Sequence, residues 1–224
     1  MSGKSFLRVI LSVDIIVIIV ALALGKAPHQ YFEEGGFITY FSFFQLLAIS
    51  VLSWRIFTVR KGGLRTKFWN KTFFIWLIIA VLCIYLSLDE VFMIHENIDF
   101  LIHRGFKIRE TSITDRIDDF IVGCYALFAL IILYFYREEF KKHRKVLPIL
   151  KTAFIFIFFM VAMDMLTNRN DYLSTMFANS GLAKNIWSWS SAFEDMLKII
   201  AEGMLVGVFY YCLETAKQTG PESP

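Results

Sequence analysis

Apolar stretches alternate with charged connections along the whole chain. Six of them, roughly residues 6–25, 37–58, 72–93, 119–136, 147–167 and 195–213, are apolar over close to one bilayer thickness. A helix needs ~20 apolar residues for that crossing. In lipid a backbone amide has no water to bond, so each segment must satisfy its own amides, which selects helices. The pattern predicts an all-α, polytopic integral membrane helical bundle of about six transmembrane helices. Residues 1–218 form one bundle domain, and 219–224, rich in Gly and Pro, form a short flexible tail.

Local signals refine the ends. Gly35-Gly36 and Gly62-Gly63 mark turns between spans. From Ser87 to Arg104 there is no Pro or Gly, so span three is expected to run past the membrane surface and stop at Gly105. Ser112 with Asp115 predicts a capped start for span four, and Ser191 with Glu194 one for span six. The 168–190 segment reads as a long loop, in which Trp187 and Trp189 suit an interfacial anchor or lid. Gly203 and Gly207 allow close helix packing.

Composition agrees with the pattern. The chain is 57% hydrophobic with a mean hydropathy of +0.56, which excludes an ordinary soluble domain. The net charge of +3 says less than its distribution. Arg60, Lys61, Arg65, Lys67 and Lys71 lie between spans two and three; Arg137, Lys141, Lys142, Arg144 and Lys145 lie between spans four and five. Lys4 and Arg8 precede span one. The excess of positive charge on cytoplasmic loops then places both termini in the cytoplasm, in the plasma (inner) membrane of a prokaryote. Basic loops beside anionic lipid need no nucleic acid, and none is expected as a partner. Lys4, Arg8 and Ala21-Leu22-Ala23 resemble a cleavable signal peptide, but Asp14 in the apolar stretch argues against cleavage. Cys83, Cys124 and Cys212 match no zinc or redox spacing and read as packing residues.

Most of the twenty acidic residues fall on the non-cytoplasmic side of this topology. A carboxylate in a bilayer must be paired, protonated or bound to a cation. In span three, Asp89, Glu96, Asp99 and His103 fall within about 80° on one helical face, with His95 about 40° further. In span six, Glu194, Asp195, Lys198 and Glu202 share a stripe of about 100°. Asp118 and Asp119 start span four, and Asp164 lies near the end of span five. Four helices thus offer carboxylates at comparable depth, the arrangement from which bundle-core metal sites are built.

Asp89, His95, Glu96, Asp119, Asp164, Asp195 and Glu202 are the candidate ligands for iron, zinc or manganese. His95, Glu96 and Glu202 are the candidate acid–base groups. Simpler roles compete. Glu194 and Asp115 suit helix capping. Asp99 and His103 suit a solvated face. Lys198 is a counter-ion in reach of Glu194 or Glu202. Asp14 reads as a pairing residue, with Gln45 and Lys198 as candidate partners.

Three functions fit. The first is a metal-dependent membrane enzyme, its pocket facing the non-cytoplasmic side, acting on a lipidic or small apolar substrate. The second is a small subunit of a membrane complex or homo-oligomer whose acids form salt bridges. The third is a proton- or cation-coupled transporter. An open channel is excluded, because the cytoplasmic halves of spans four, five and six carry no polar stripe.

Overall fold

The structure, a computed structural model, describes residues 3–33, 35–62, 71–107, 117–167 and 180–221, without the side chains at 118–119, 164–167 and 180. The described residues form helices and no strand. These are α1 (Gly3–Leu24), α2 (Phe37–Lys61), α3 (Ile75–Phe92), α4 (Ile94–Phe106), α5 (Ile117–Phe135), α6 (Arg137–Lys141), α7 (Leu147–Thr167) and α8 (Ser180–Thr219). Turns of 3-10 helix at Thr72–Phe74 and Arg144–Val146 lead into α3 and α7.

Five helical segments are long and apolar enough to cross a membrane: Gly3–Leu24, Phe37–Lys61, Thr72–Phe92, Arg144–Met163 and Gly181–Thr219. The remaining expected span appears as the shorter apolar helix Phe120–Phe135. Asp118 and Asp119 precede this apolar stretch, and the α5 helix ends at Phe135, just before Tyr136 departs from helical geometry.

α2 and α8 are the axis of the bundle. α2 packs on α3 and α8, while α1 and α7 lie along α8. One apolar cluster, with Ile49, Ile56, Phe57, Phe73, Trp76, Val208 and Cys212, fills the end near Lys61 and Thr219. A smaller one, with Ile18, Phe32, Ile38, Ala192 and Ile199, fills the opposite end. The outside stays apolar: Ile15, Ile16, Ile19, Leu127, Leu130, Phe158 and Phe159 are all exposed. Such a surface suits lipid and would drive aggregation in water.

Two glycines of α8 set the α1 contact. A Cβ on Gly203 would collide with Asp14 Oδ2, and one on Gly207 would stand 2.5 Å from Leu7 Cδ1. The small-residue pair is therefore used inside this chain, where it lets two helix backbones approach closely.

The structure departs from the sequence reading at two boundaries. Span three does not continue as one helix into the 94–104 segment. It stops at Met93, which takes a left-handed conformation (φ 48°, ψ 50°), and α4 starts afresh. Asp89 Oδ1 accepts the backbone N–H of His95 at 2.8 Å, so a side chain replaces the backbone acceptor that a continuous helix would offer. α4 then passes Gly105 and ends before Lys107, also left-handed. The second departure is α8, which starts at Ser180 and runs unbroken through Ser191, so Ser191 caps nothing. The added turns bury Ala183, Ser188 and Ala192, and packing outweighs the local capping signal. Residues 180–190 of the expected loop are thus helical, while 168–179 and the Ser112–Asp115 cap lie outside the described residues.

The Asp14–Gly203 contact has a testable consequence. Gly203→Ala is expected to lower the thermal stability of the purified protein in detergent, by about 1–3 kcal/mol as overpacking does. Asp14→Ala is expected to remove most of that loss, because it vacates the space the new methyl needs. Equal losses for Gly203→Ala with and without Asp14→Ala would show that the contact is absent.

Candidate functional site

The buried face of α2 organises the polar interior. Thr39, Ser42, Gln45, Ser50, Ser53 and Arg60 are all buried, and all fall on the face that meets α3 and α8. Near the α2 start, this face supplies donors to two carboxylates. Gln45 Nε2 donates to Asp14 Oδ1 at 2.8 Å, and Ser42 Oγ donates to Glu202 Oε1 at 2.9 Å. Ser42 and Gln45 are three residues apart and so point the same way. Asp14 is 0% exposed and Glu202 6%. Of the two partners expected for Asp14, the structure selects Gln45.

Each of these acids keeps one oxygen unmatched. Asp14 Oδ2, Glu202 Oε2 and Gln45 Oε1 are buried with no hydrogen-bond partner among the described residues. All three atoms are acceptors, so what is missing is a donor or a cation.

One turn from Glu202 along α8, Lys198 Nζ bridges Asp195 at 2.9 Å and Glu90 of α3 at 3.2 Å. Glu202 lies within electrostatic reach of all three. The cluster thus holds three carboxylates, Glu90, Asp195 and Glu202, against one ammonium. Glu90 was not among the expected site residues. Its direction on a helical wheel differs from that of Asp89, and only the packing of α3 on α2, which brings Glu90 to Lys198 of α8, reveals its role.

Asp89 and His95 meet elsewhere. His95 Nδ1 lies 3.1 Å from Asp89 Oδ2, so the carboxylate closes the α3–α4 joint through both the backbone and the ring of His95. The hydrogen-bonded pair Tyr85 and Tyr125 ties α3 to α5 within reach of Asp89. Glu96 stands exposed in the first turn of α4, where a carboxylate complements the helix dipole. Asp99 pairs with His103 at 2.9 Å, a local contact one turn apart.

The seven expected ligands therefore divide. Asp89 and His95 form one pair; Asp195 and Glu202 belong to the Lys198 cluster; Glu96 joins neither. The side chains of Asp119 and Asp164 lie outside the described residues. Among the described residues no group of three or more His, Cys, Asp or Glu is placed to hold a metal.

Two further clusters were not anticipated. His29 Nδ1 meets Ser188 Oγ while its Nε2 lies 3.1 Å from Glu33, pinning the α1–α2 connection to the start of α8. Trp187 packs on the same imidazole, with ring centroids 4.8 Å apart. At the other end of the bundle Glu139 is 0% exposed. Its carboxylate accepts from Lys142 at 2.6 Å, Thr72 at 2.8 Å and Trp76 Nε1 at 3.1 Å, and Arg60 Nε stands 3.3 Å away. The visible signal was two acids, Glu138 and Glu139, inside an otherwise basic connection.

Burial alone would raise the Glu139 carboxyl. The bonds from Lys142, Trp76 and Thr72 and the charge of Arg60 outweigh it and hold the group below the usual carboxylate range. Burial lowers the neighbouring His143, and Arg60 and Lys142 add to that against the opposing pull of Glu139. His143 is thus kept neutral, packed edge-on against Trp76.

A His with a depressed folded pKa stabilises the fold above its ordinary value of 6.5, and that stability is lost as pH falls below it. The Glu139 contribution persists until pH falls through its own lowered value, below 4.5. Thermal unfolding in detergent is expected to show stability declining below about pH 6.5, and His143→Gln is expected to flatten that decline. Glu139→Ala is expected to cost about 3–5 kcal/mol, as loss of one partner from a buried ion pair does. Exposed Glu138→Ala is expected to stay within about 0.5 kcal/mol. Equal effects at 138 and 139 would show that the buried network is not formed.

No curated protein and no solved structure matches the chain. The pattern of one family, described as a domain of unknown function (DUF8692), matches residues 7–214, nearly the whole bundle. The chain belongs to that family.

Proposed function

We propose that the protein is a proton- or cation-coupled membrane transporter whose coupling ion binds at Glu202 and Asp14. One observation carries this reading: both acids are buried between α1, α2 and α8, and each leaves a carboxylate oxygen without a hydrogen-bond partner among the described residues. An uncompensated carboxylate among apolar helices costs several kcal/mol, so an occupant is needed. A proton on either acid, or a small cation between its oxygen and the Gln45 carbonyl, supplies the missing charge. The three-to-one excess of carboxylates over Lys198 strengthens the case, because one lysine cannot neutralise the cluster.

The membrane frame belongs to the same proposal. The chain crosses the bilayer six times, α5 included, with both termini in the cytoplasm of a prokaryotic cell. Arg60, Lys61, Lys141 and Lys142 gather at the end of the bundle that holds Glu139, which supports a cytoplasmic face there. Glu90, Asp195 and Lys198 then lie on the non-cytoplasmic side and Glu202 deeper in the bundle. The ion enters from outside.

A metal-dependent enzyme would draw its ligands from the same acids and would need Asp119 and Asp164 to complete the set. The transporter reading is preferred because Lys198 already occupies the space between Glu90 and Asp195, and a tethered ammonium competes with a metal there.

The test is flux. Purified protein in liposomes with a lumenal pH dye, driven by an imposed potential, is expected to move protons faster than empty liposomes. If sodium or potassium is the ion, the corresponding cation dye responds instead. Glu202→Gln is expected to abolish the flux, and Asp14→Asn to reduce it at least tenfold, while both variants remain folded. A folded wild-type protein that moves none of these ions would sink the proposal. Stoichiometric metal in that protein would favour the enzyme, and a co-purifying partner would favour the subunit.

A further inference from the structure

Below the ion site, the α2 polar face continues and is then interrupted. Ser50 donates to the Ala80 carbonyl at 2.8 Å and Ser53 to that of Ile49 at 2.7 Å. Next come Ile56 and Phe57, both buried. Here the aromatic rings converge: Phe57 lies 5.9 Å from Phe73, and Trp76 lies 5.4 Å from Phe140 and 5.7 Å from Phe209. This apolar layer separates the serines from the Glu139 network. Trp76 belongs to both, since its fully buried ring fills the layer while its N–H donates to Glu139 Oε1.

The Glu139 contacts join elements that could otherwise separate. Arg60 comes from the end of α2, Thr72 from the turn before α3, Trp76 from α3, and Lys142 follows α6. Arg60 Nη1 also reaches the Gly220 carbonyl just past α8, at 3.5 Å. Cys212 of α8 is fully buried and within electrostatic reach of Glu139. α2 and α8, which hold Ser42 and Glu202 at the ion site, thus meet again at this end.

We propose that Glu139 is the latch of an inner gate, with Trp76 as its door, and that occupancy at Glu202 is transmitted to it along α2 and α8. The inference rests on the transporter reading and names the device that closes its cytoplasmic side. Glu139 acts through Trp76 and Arg60, so it is a positioning residue. With the latch made, the aromatic layer seals the interior. Loss of the Trp76 N–H contact frees the indole, and water then reaches the serines.

Cys212 is a native reporter of this event. The full-length protein in membranes is treated with a membrane-permeant maleimide, and modification of each cysteine is followed by peptide mass spectrometry. Wild-type Cys212 is expected to be protected. Glu139→Gln is expected to raise its rate of modification roughly tenfold, as loss of hydrogen bonds to a charged group raises local opening. Trp76→Phe keeps an aromatic ring in the layer but removes the N–H together with part of the indole's volume, and is expected to do the same if Glu139→Gln does not fold. Glu138→Gln is expected to change nothing.

The decisive variant is Glu202→Gln, which mimics a neutral site ten residues before Cys212 on α8, about three helical turns away. It is expected to change Cys212 modification at least threefold, an effect that a merely structural ion pair would not produce. Wild-type flux with Cys212 modification indifferent to Glu202→Gln would overturn the gate and leave the transporter reading intact. Protection of Cys212 in folded Glu139→Gln and Trp76→Phe would also overturn it. Absence of flux in the wild-type protein is the separate result that removes the reading beneath it.

Discussion

A charged or polar group among apolar helices must find its partner inside the protein, and in this bundle α2 provides that partner at four successive depths. Gln45 answers Asp14, Ser42 answers Glu202, Ser50 answers a carbonyl of α3, and Arg60 answers Glu139. In water these bonds would each exchange against solvent and contribute little. In a low-dielectric interior the alternative is an orphaned group, so the bonds fix which helices lie together and in what rotation. The arrangement of α1, α3 and α8 around α2 follows from that constraint as much as from apolar packing.

The packing of α1 on α8 and the chemistry of the site are one feature. Gly203 has no side chain, so Asp14 Oδ2 can press against the α8 backbone directly after Glu202. A larger residue would push α1 away and carry Asp14 out of reach of Gln45. α8 itself has 40 residues and spans about 60 Å, twice a hydrocarbon core. Its surplus length projects beyond the ion site, where Ser188 and Trp187 engage His29. One rigid element thus links the α1–α2 connection, the Lys198 cluster, Glu202 and the neighbourhood of Glu139.

Asp89 shows how a site-like residue can be consumed by structure. Its carboxylate bonds the backbone and the ring of His95, and this breaks the helix at Met93. The break leaves Glu96 exposed and parts it from Asp89, although the two lay on one face of an uninterrupted helical wheel. Glu139 is the converse. It sits in a five-residue helix within a basic segment, looks like an ordinary surface acid, and is fully buried.

The sequence by itself determined the membrane-suited helical class, the positions of the long apolar helices and the pairing need of Asp14, because hydrophobic length and an isolated acid are local properties. The glycine pair was equally legible as a place of close approach. What only the tertiary structure decided is which acids share a cluster. Helical phase survives only while the helix does, and the break at Met93 depends on a side chain reaching six residues forward. The grouping of Glu90 with Lys198, and of Arg60 with Glu139, joins residues 108 and 79 positions apart. Those pairings are set by how α2, α3 and α8 rotate to satisfy their buried polar atoms together, a condition that no single segment carries in its own pattern.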